Sequence, residues 1–169
     1  KGLLETKLGI PFRTPAEGHN IAFTSLWDNY PDSLQIPLQG KASRAYLLMA
    51  GSTNHMQCHI DNGVIRVYYE DGTCDTLSLV NPDNWPPIEQ IFFEDGKSFN
   101  RHAPSLYRLR LKTGELSNNF GEELGFTGVS REVDGGAAVL LEMSLNAGKK
   151  LSHLVLETLS NEVVIGIMG

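Results

Sequence analysis

Two loops carry the residues best suited to hold a ligand. Trp27-Asp28-Asn29-Tyr30-Pro31-Asp32 sets two aromatic rings beside two carboxylates, and Asn81-Pro82-Asp83-Asn84-Trp85-Pro86-Pro87 sets a tryptophan in a rigid, proline-rich frame. A Trp or Tyr ring offers an apolar face next to a hydrogen-bonding edge, which is what a sugar's C–H face and hydroxyls require. Trp27, Asp28, Tyr30 and Trp85 are therefore the candidate ligand contacts. The competing reading is packing, because a Trp followed by two prolines is often the plug at the end of a sandwich core.

Other chemistry is weaker. Asp28, Asp32, Glu89 and Glu94 are the acids placed to act as a glycosidase pair, which would need a separation of about 5–10 Å. Acids near turns mostly solubilise or cap, and no second motif singles out a pair. The same Trp27–Asp32 stretch is rich in the oxygen ligands that a structural calcium ion would use. Among the histidines, His55 and His59 would share one face of a strand yet stand roughly 13 Å apart, too far for one metal, with Cys58 on the opposite face. Zinc requires three or four convergent ligands, so no metal site is expected. Gly96-Lys97-Ser98 ends like a phosphate-binding loop but lacks the earlier glycine and a following helix, and Gly51-Ser52-Thr53 lacks the frame of a nucleophile elbow. No catalytic residue is assigned.

The elements that must position these loops are strands. Short alternating or apolar runs at Asn20–Leu26, Ser33–Leu38, Arg44–Ala50, His55–Ile60, Val64–Glu70, Thr73–Val80, Glu89–Phe93, Tyr107–Lys112, Ala137–Leu145, Leu151–Thr158 and Glu162–Met168 are separated by turn residues. Ile65, Val67 and Tyr69 alternate against Val64, Arg66 and Tyr68, the pattern of a strand with one face in a core. Arg44–Ala50 is nearly continuous in apolar residues and suits a central strand covered on both sides. Asp71-Gly72 predicts a hairpin, Asp61-Asn62-Gly63 predicts a second turn, and Pro37 confines its strand to an edge or bulge. Helical periodicity is confined to the stretch around Asn119–Leu124, long enough for a turn or two. These signals predict one all-β domain over residues 1–169, an antiparallel two-sheet β-sandwich.

Composition narrows the partners. At 169 residues the chain can bury a full core without staples. A net charge of −6 with scattered basic residues argues against a nucleic-acid backbone. The densest basic run, Arg108-Leu109-Arg110-Leu111-Lys112, alternates with apolar residues and reads as a solvated strand face. No apolar stretch approaches the roughly 20 residues that span a bilayer, so no membrane insertion is expected. Cys58 and Cys74 fall on the two outer strands of a predicted three-stranded meander, roughly 10 Å apart, and are expected to be free thiols. The chain begins at Lys1 without Met and ends at Gly169, as an excised part of a larger protein would.

Several stretches together resemble a known family. They are Gly9–Phe12, Ile21–Pro31, Ala45–Thr53, Val67–Thr73 and Leu77–Ile88. Their order is similar to that of an uncharacterised domain family in large secreted proteins of gut bacteria that resemble glycoside hydrolases. The resemblance implies a galactose-binding-type jelly roll attached to a catalytic part, in a secreted, periplasmic or cell-surface setting. It assigns no catalytic residue and no cofactor. The expected role is a non-catalytic accessory domain that binds carbohydrate or packs against a neighbouring catalytic domain. The alternatives are a small glycan-acting hydrolase or lyase using the loop carboxylates, and a purely structural interaction module.

Overall fold

The computed structural model describes residues 2–89, 101–119 and 132–169. Among the described residues there is no helix, and every paired strand is antiparallel. The strands are β1 (Leu3–Glu5), β2 (Pro11–Arg13), β3 (Ala22–Ser25), β4 (Ser33–Pro37), β5 (Arg44–Thr53), β6 (Asp61–Tyr69), β7 (Cys74–Val80), β8 (Arg108–Arg110), β9 (Leu116–Ser117), β10 (Ala137–Ser144), β11 (Leu151–Thr158) and β12 (Val163–Ile167). They form a six-stranded sheet ordered β3-β12-β5-β10-β8-β9, a four-stranded sheet ordered β4-β11-β6-β7, and the small hairpin β1-β2.

Alternation along the strands builds a sandwich-like arrangement. Leu47 and Met49 of β5, Val139, Leu141 and Met143 of β10, and Val163, Ile165 and Ile167 of β12 point from the large sheet into one core. Ile65, Val67 and Tyr69 of β6, Leu79 of β7, and Leu154 and Leu156 of β11 meet them from the small sheet. Each such side chain, fully buried, contributes about 1.5–3 kcal/mol of apolar burial. Positions one residue out of phase on the large sheet feed a second cluster. There Leu48, Ala50, Ala138, Leu140 and Leu109 pack under Phe12 of the β1-β2 hairpin. The double burial explains why β5 and β10 read as continuous apolar runs.

Most predicted strands are present within one or two residues. Pro37 lies on β4, an edge of the small sheet, where its missing N–H does no harm. The β6-β7 hairpin turns at Glu70-Asp71-Gly72, with Gly72 at φ 83°, a left-handed conformation glycine adopts without strain. Cys58 and Cys74 form no disulfide with each other.

Three expectations are corrected. His55–Ile60 is not a strand but a compact turn, held by a bridge from Cys58 to Asn81 and by Asn62 Nδ2 of β6, which donates to Gln57 O (3.0 Å) and Ile60 O (3.1 Å). Asp61-Asn62-Gly63 is not a turn but the start of β6. Asn62 is buried there, and a Cβ on Gly63 would lie 2.2 Å from Ile165 Cδ1, so this glycine is needed for close packing. Arg108 is not on a solvated face. It is buried, and its guanidinium donates to the carbonyls of Pro87 (2.9 Å), Ile88 (3.3 Å) and Ala137 (2.7 Å). The β1-β2 hairpin arises from the polar lead, where strands of three residues are too short to show periodicity. The predicted strand Glu89–Phe93 from residue 90 onward, Gly96-Lys97-Ser98, Glu94 and the helical stretch beyond Asn119 lie outside the described residues.

Candidate functional site

The hairpin β1-β2 covers only part of the outer face of the large sheet, and the uncovered part is a groove. Across β3, β12 and β5 the residues Phe23, Gly166 and Ala50 stand in one row, because Gly166 pairs with Phe23 on one side and with Ala50 on the other. A large ring, no side chain and a methyl group in sequence make a concave floor. A Cβ at Gly166 would stand 2.8 Å from Ala50 O and 2.9 Å from Ile21 Cγ2, so the strands close where the glycine sits. Val164 and Ile88 also line the groove, together with Gly18, His19, Asn20, Ile21, Trp27 and Tyr30. The groove is open to solvent and holds about 480 Å³.

The β3–β4 loop is braced so that its rings point outward. Buried Ser25 donates from Oγ to Val163 O (2.8 Å), its N–H donates to Pro31 O (2.9 Å), and Tyr30 N donates to Trp27 O (3.0 Å). Thr24 Oγ1 and Thr158 Oγ1, both buried, share a hydrogen bond of 2.7 Å that ties β3 to the small sheet. On this frame Trp27 is 53% exposed and Tyr30 43% exposed. Tyr30 meets Phe23 edge to face at 5.1 Å and Trp27 at a tilt of 37° and 6.3 Å. Exposed rings held against one another in this way form a preset apolar surface rather than mobile side chains.

The sequence-predicted site residues separate. Trp27 and Tyr30 come together at the groove. Asp28 does not line the groove; it lies with Asp32 in an adjoining, smaller cleft that Trp27 and Tyr30 also line. Trp85 is a correction: it is wholly buried in the inner core and takes no part in a surface site. Gly51 of β5 makes room for it, since a Cβ there would come 2.8 Å from the indole and 1.9 Å from Val164 O. The segment after Trp85 then inserts between β5 and β10, with Ile88 N donating to Gly51 O and Ala137 N donating to Ile88 O. Arg108 clamps this segment through the three carbonyls already named, and burial pushes its guanidinium down to about 10, still charged at neutral pH. Phe23, Ile21 and Gly166 were not anticipated as site residues. Their signal in the sequence is Phe23 on an alternating strand, which reads equally as a core position.

Convergent metal-binding side chains lie elsewhere. His59, Asp83 and His102 bring one donor atom each within 4.8 Å of the others, the one such set of three among the described residues. Among the described residues Asp28 and Asp32 belong to no such set. Among the described residues no helix is long and apolar enough to cross a membrane. Compared with known proteins, the chain matches no family model, no curated protein and no solved structure.

Proposed function

We propose that this chain is a non-catalytic accessory domain of jelly-roll, galactose-binding-like type, and that it binds carbohydrate in the groove between Trp27, Tyr30 and Phe23. The observation that carries the reading is a set of three outward-facing rings around a floor emptied by Gly166. Exposed aromatic surface held rigid costs little to order on binding, and it suits the apolar face of a pyranose ring. His19 and Asn20, which also line the groove, supply hydrogen-bonding groups for hydroxyls. The resemblance to domains in secreted, hydrolase-like proteins favours polysaccharide as the ligand and a setting outside the cytoplasm.

A second reading has its own observation. The groove exposes the apolar side chains of Ile21, Phe23 and Trp27, and Leu26 is exposed in the adjoining cleft, so a neighbouring domain of the same polypeptide could rest on it. Isothermal titration against a panel of plant and host glycans separates the two. Carbohydrate binding predicts saturable heat with at least one glycan, weakened at least about tenfold in Trp27→Ala, which is about 1.4 kcal/mol. Silence across the panel rejects carbohydrate binding and leaves domain packing as the role of the groove.

A further inference from the structure

A second site lies away from the aromatic groove, where three chain segments meet at His59, Asp83 and His102. We infer that these side chains bind a single divalent transition-metal ion of the zinc type. Their donor atoms lie within 4.8 Å of one another. Zinc bonds of about 2.0–2.1 Å hold neighbouring donors roughly 3.4 Å apart, a contraction that rotation of exposed imidazoles supplies. His102 is 64% exposed at the side chain and Asp83 24%, so the carboxylate is anchored and an imidazole is free to turn.

The backbone already fixes the three segments. His59 N donates to Asn81 O (2.8 Å), which ties the turn carrying His59 to the loop carrying Asp83. Asn84 holds that loop, accepting at Oδ1 from Val80 N (2.7 Å) and donating from Nδ2 to Ser78 O (2.8 Å). His102 N donates to Asp83 Oδ1 (2.6 Å), while Oδ2 faces His102 Nδ1 at 3.9 Å. The imidazoles of His59 and His102 stack with centroids 4.6 Å apart and planes inclined by 26°. His59 takes a left-handed backbone conformation, φ 56°, uncommon for a residue other than glycine. That conformation lets the turn place its imidazole over His102.

Ligand chemistry selects the ion. Calcium and magnesium take oxygen donors, whereas two imidazoles with one carboxylate suit zinc, cobalt, nickel or copper. Three protein ligands leave a coordination position for water, as in solvent-accessible zinc sites. An ion held here cross-links the 54–60 turn and the segment at residue 102 to the loop that buries Trp85. Its effect is therefore to stabilise the folded chain by mass action.

The test uses untagged protein stripped with chelator and titrated with zinc chloride, beside the variants His59→Asn, Asp83→Asn, His102→Ala and His55→Ala. His59→Asn keeps a side chain that tolerates the left-handed backbone. The proposal predicts one zinc per chain and a thermal midpoint that rises with zinc and returns with EDTA. It predicts affinity at least tenfold weaker in His59→Asn and His102→Ala, unchanged affinity in His55→Ala, and no response to calcium. Cobalt bound in place of zinc gives visible bands that weaken in the same variants. Binding at several equivalents, binding unchanged in both His59→Asn and His102→Ala with circular dichroism intact, or equal loss in His55→Ala overturns it.

Discussion

The two tryptophan loops look alike as sequence and do opposite work in the fold. Both are short, polar and proline-containing, and both place the indole among Asp and Asn residues. The β3–β4 loop is braced from below by Ser25, so its Trp27 and Tyr30 are left facing solvent. The loop after β7 instead turns inward over Gly51, and Trp85 fills the end of the core. What differs is the partner surface. Trp27 stands beside an edge strand whose outer face the β1-β2 hairpin does not reach. Trp85 meets the gap left when β5 and β10 separate, and burial there outweighs an indole N–H with no partner among the described residues. A ring's role is thus decided by what lies opposite it, which local composition does not encode.

Substitutions break or sharpen this contrast in a predictable order. Trp85→Ala removes the largest fully buried side chain and should cost about 3–5 kcal/mol in urea or guanidinium unfolding. A loss below about 1 kcal/mol would refute its role as a core plug. Arg108→Met deletes the guanidinium that donates to Pro87, Ile88 and Ala137 carbonyls, and should cost about 2–3 kcal/mol while leaving the groove rings in place. The double change Trp27→Ala, Tyr30→Ala should shift stability by less than about 1 kcal/mol, because both rings are about half solvated, yet abolish measurable glycan binding in calorimetry.

The smallest expected effect concerns neither loop. Lys149, and then Thr73, hold the carboxylate of Asp71 below the usual range by hydrogen bonding at the β6-β7 turn. A carboxylate depressed in the folded state stabilises in full above its ordinary pKa of 3.8 and loses that contribution as pH falls through the folded value. Asp71→Asn should therefore lower the thermal midpoint slightly at pH 6 and leave less difference from wild type as pH drops below about 4. Differential scanning calorimetry across that range measures the slope, and the effect is modest because the pair is exposed.

The strands were legible because period-two alternation records which face is buried, as Ile65, Val67 and Tyr69 show. Doubly covered β5 was legible for the complementary reason, an unbroken apolar run. Asn62-Gly63 misled because a glycine needed for packing against Ile165 has the same spelling as a turn. Arg108 misled because a buried arginine satisfied by backbone carbonyls alternates with leucine just as a wet one does. Half of the groove was readable from Trp27 and Tyr30. Its floor was not, since the row Phe23, Gly166 and Ala50 is assembled by pairing between strands more than a hundred residues apart. His59, Asp83 and His102 were equally hidden, because His55–Ile60 forms a turn where alternation suggested a strand.

The proposed ligand surface is the exposed aromatic groove, not the buried tryptophan. Tryptophan emission during glycan titration tests it directly, with wild type compared against Trp27→Phe. The account predicts a saturable blue shift with protection from iodide quenching in wild type, and a flat response in Trp27→Phe, whose sole indole is the buried Trp85. The same saturable change in both proteins, or none in wild type with any glycan of the panel, would contradict it.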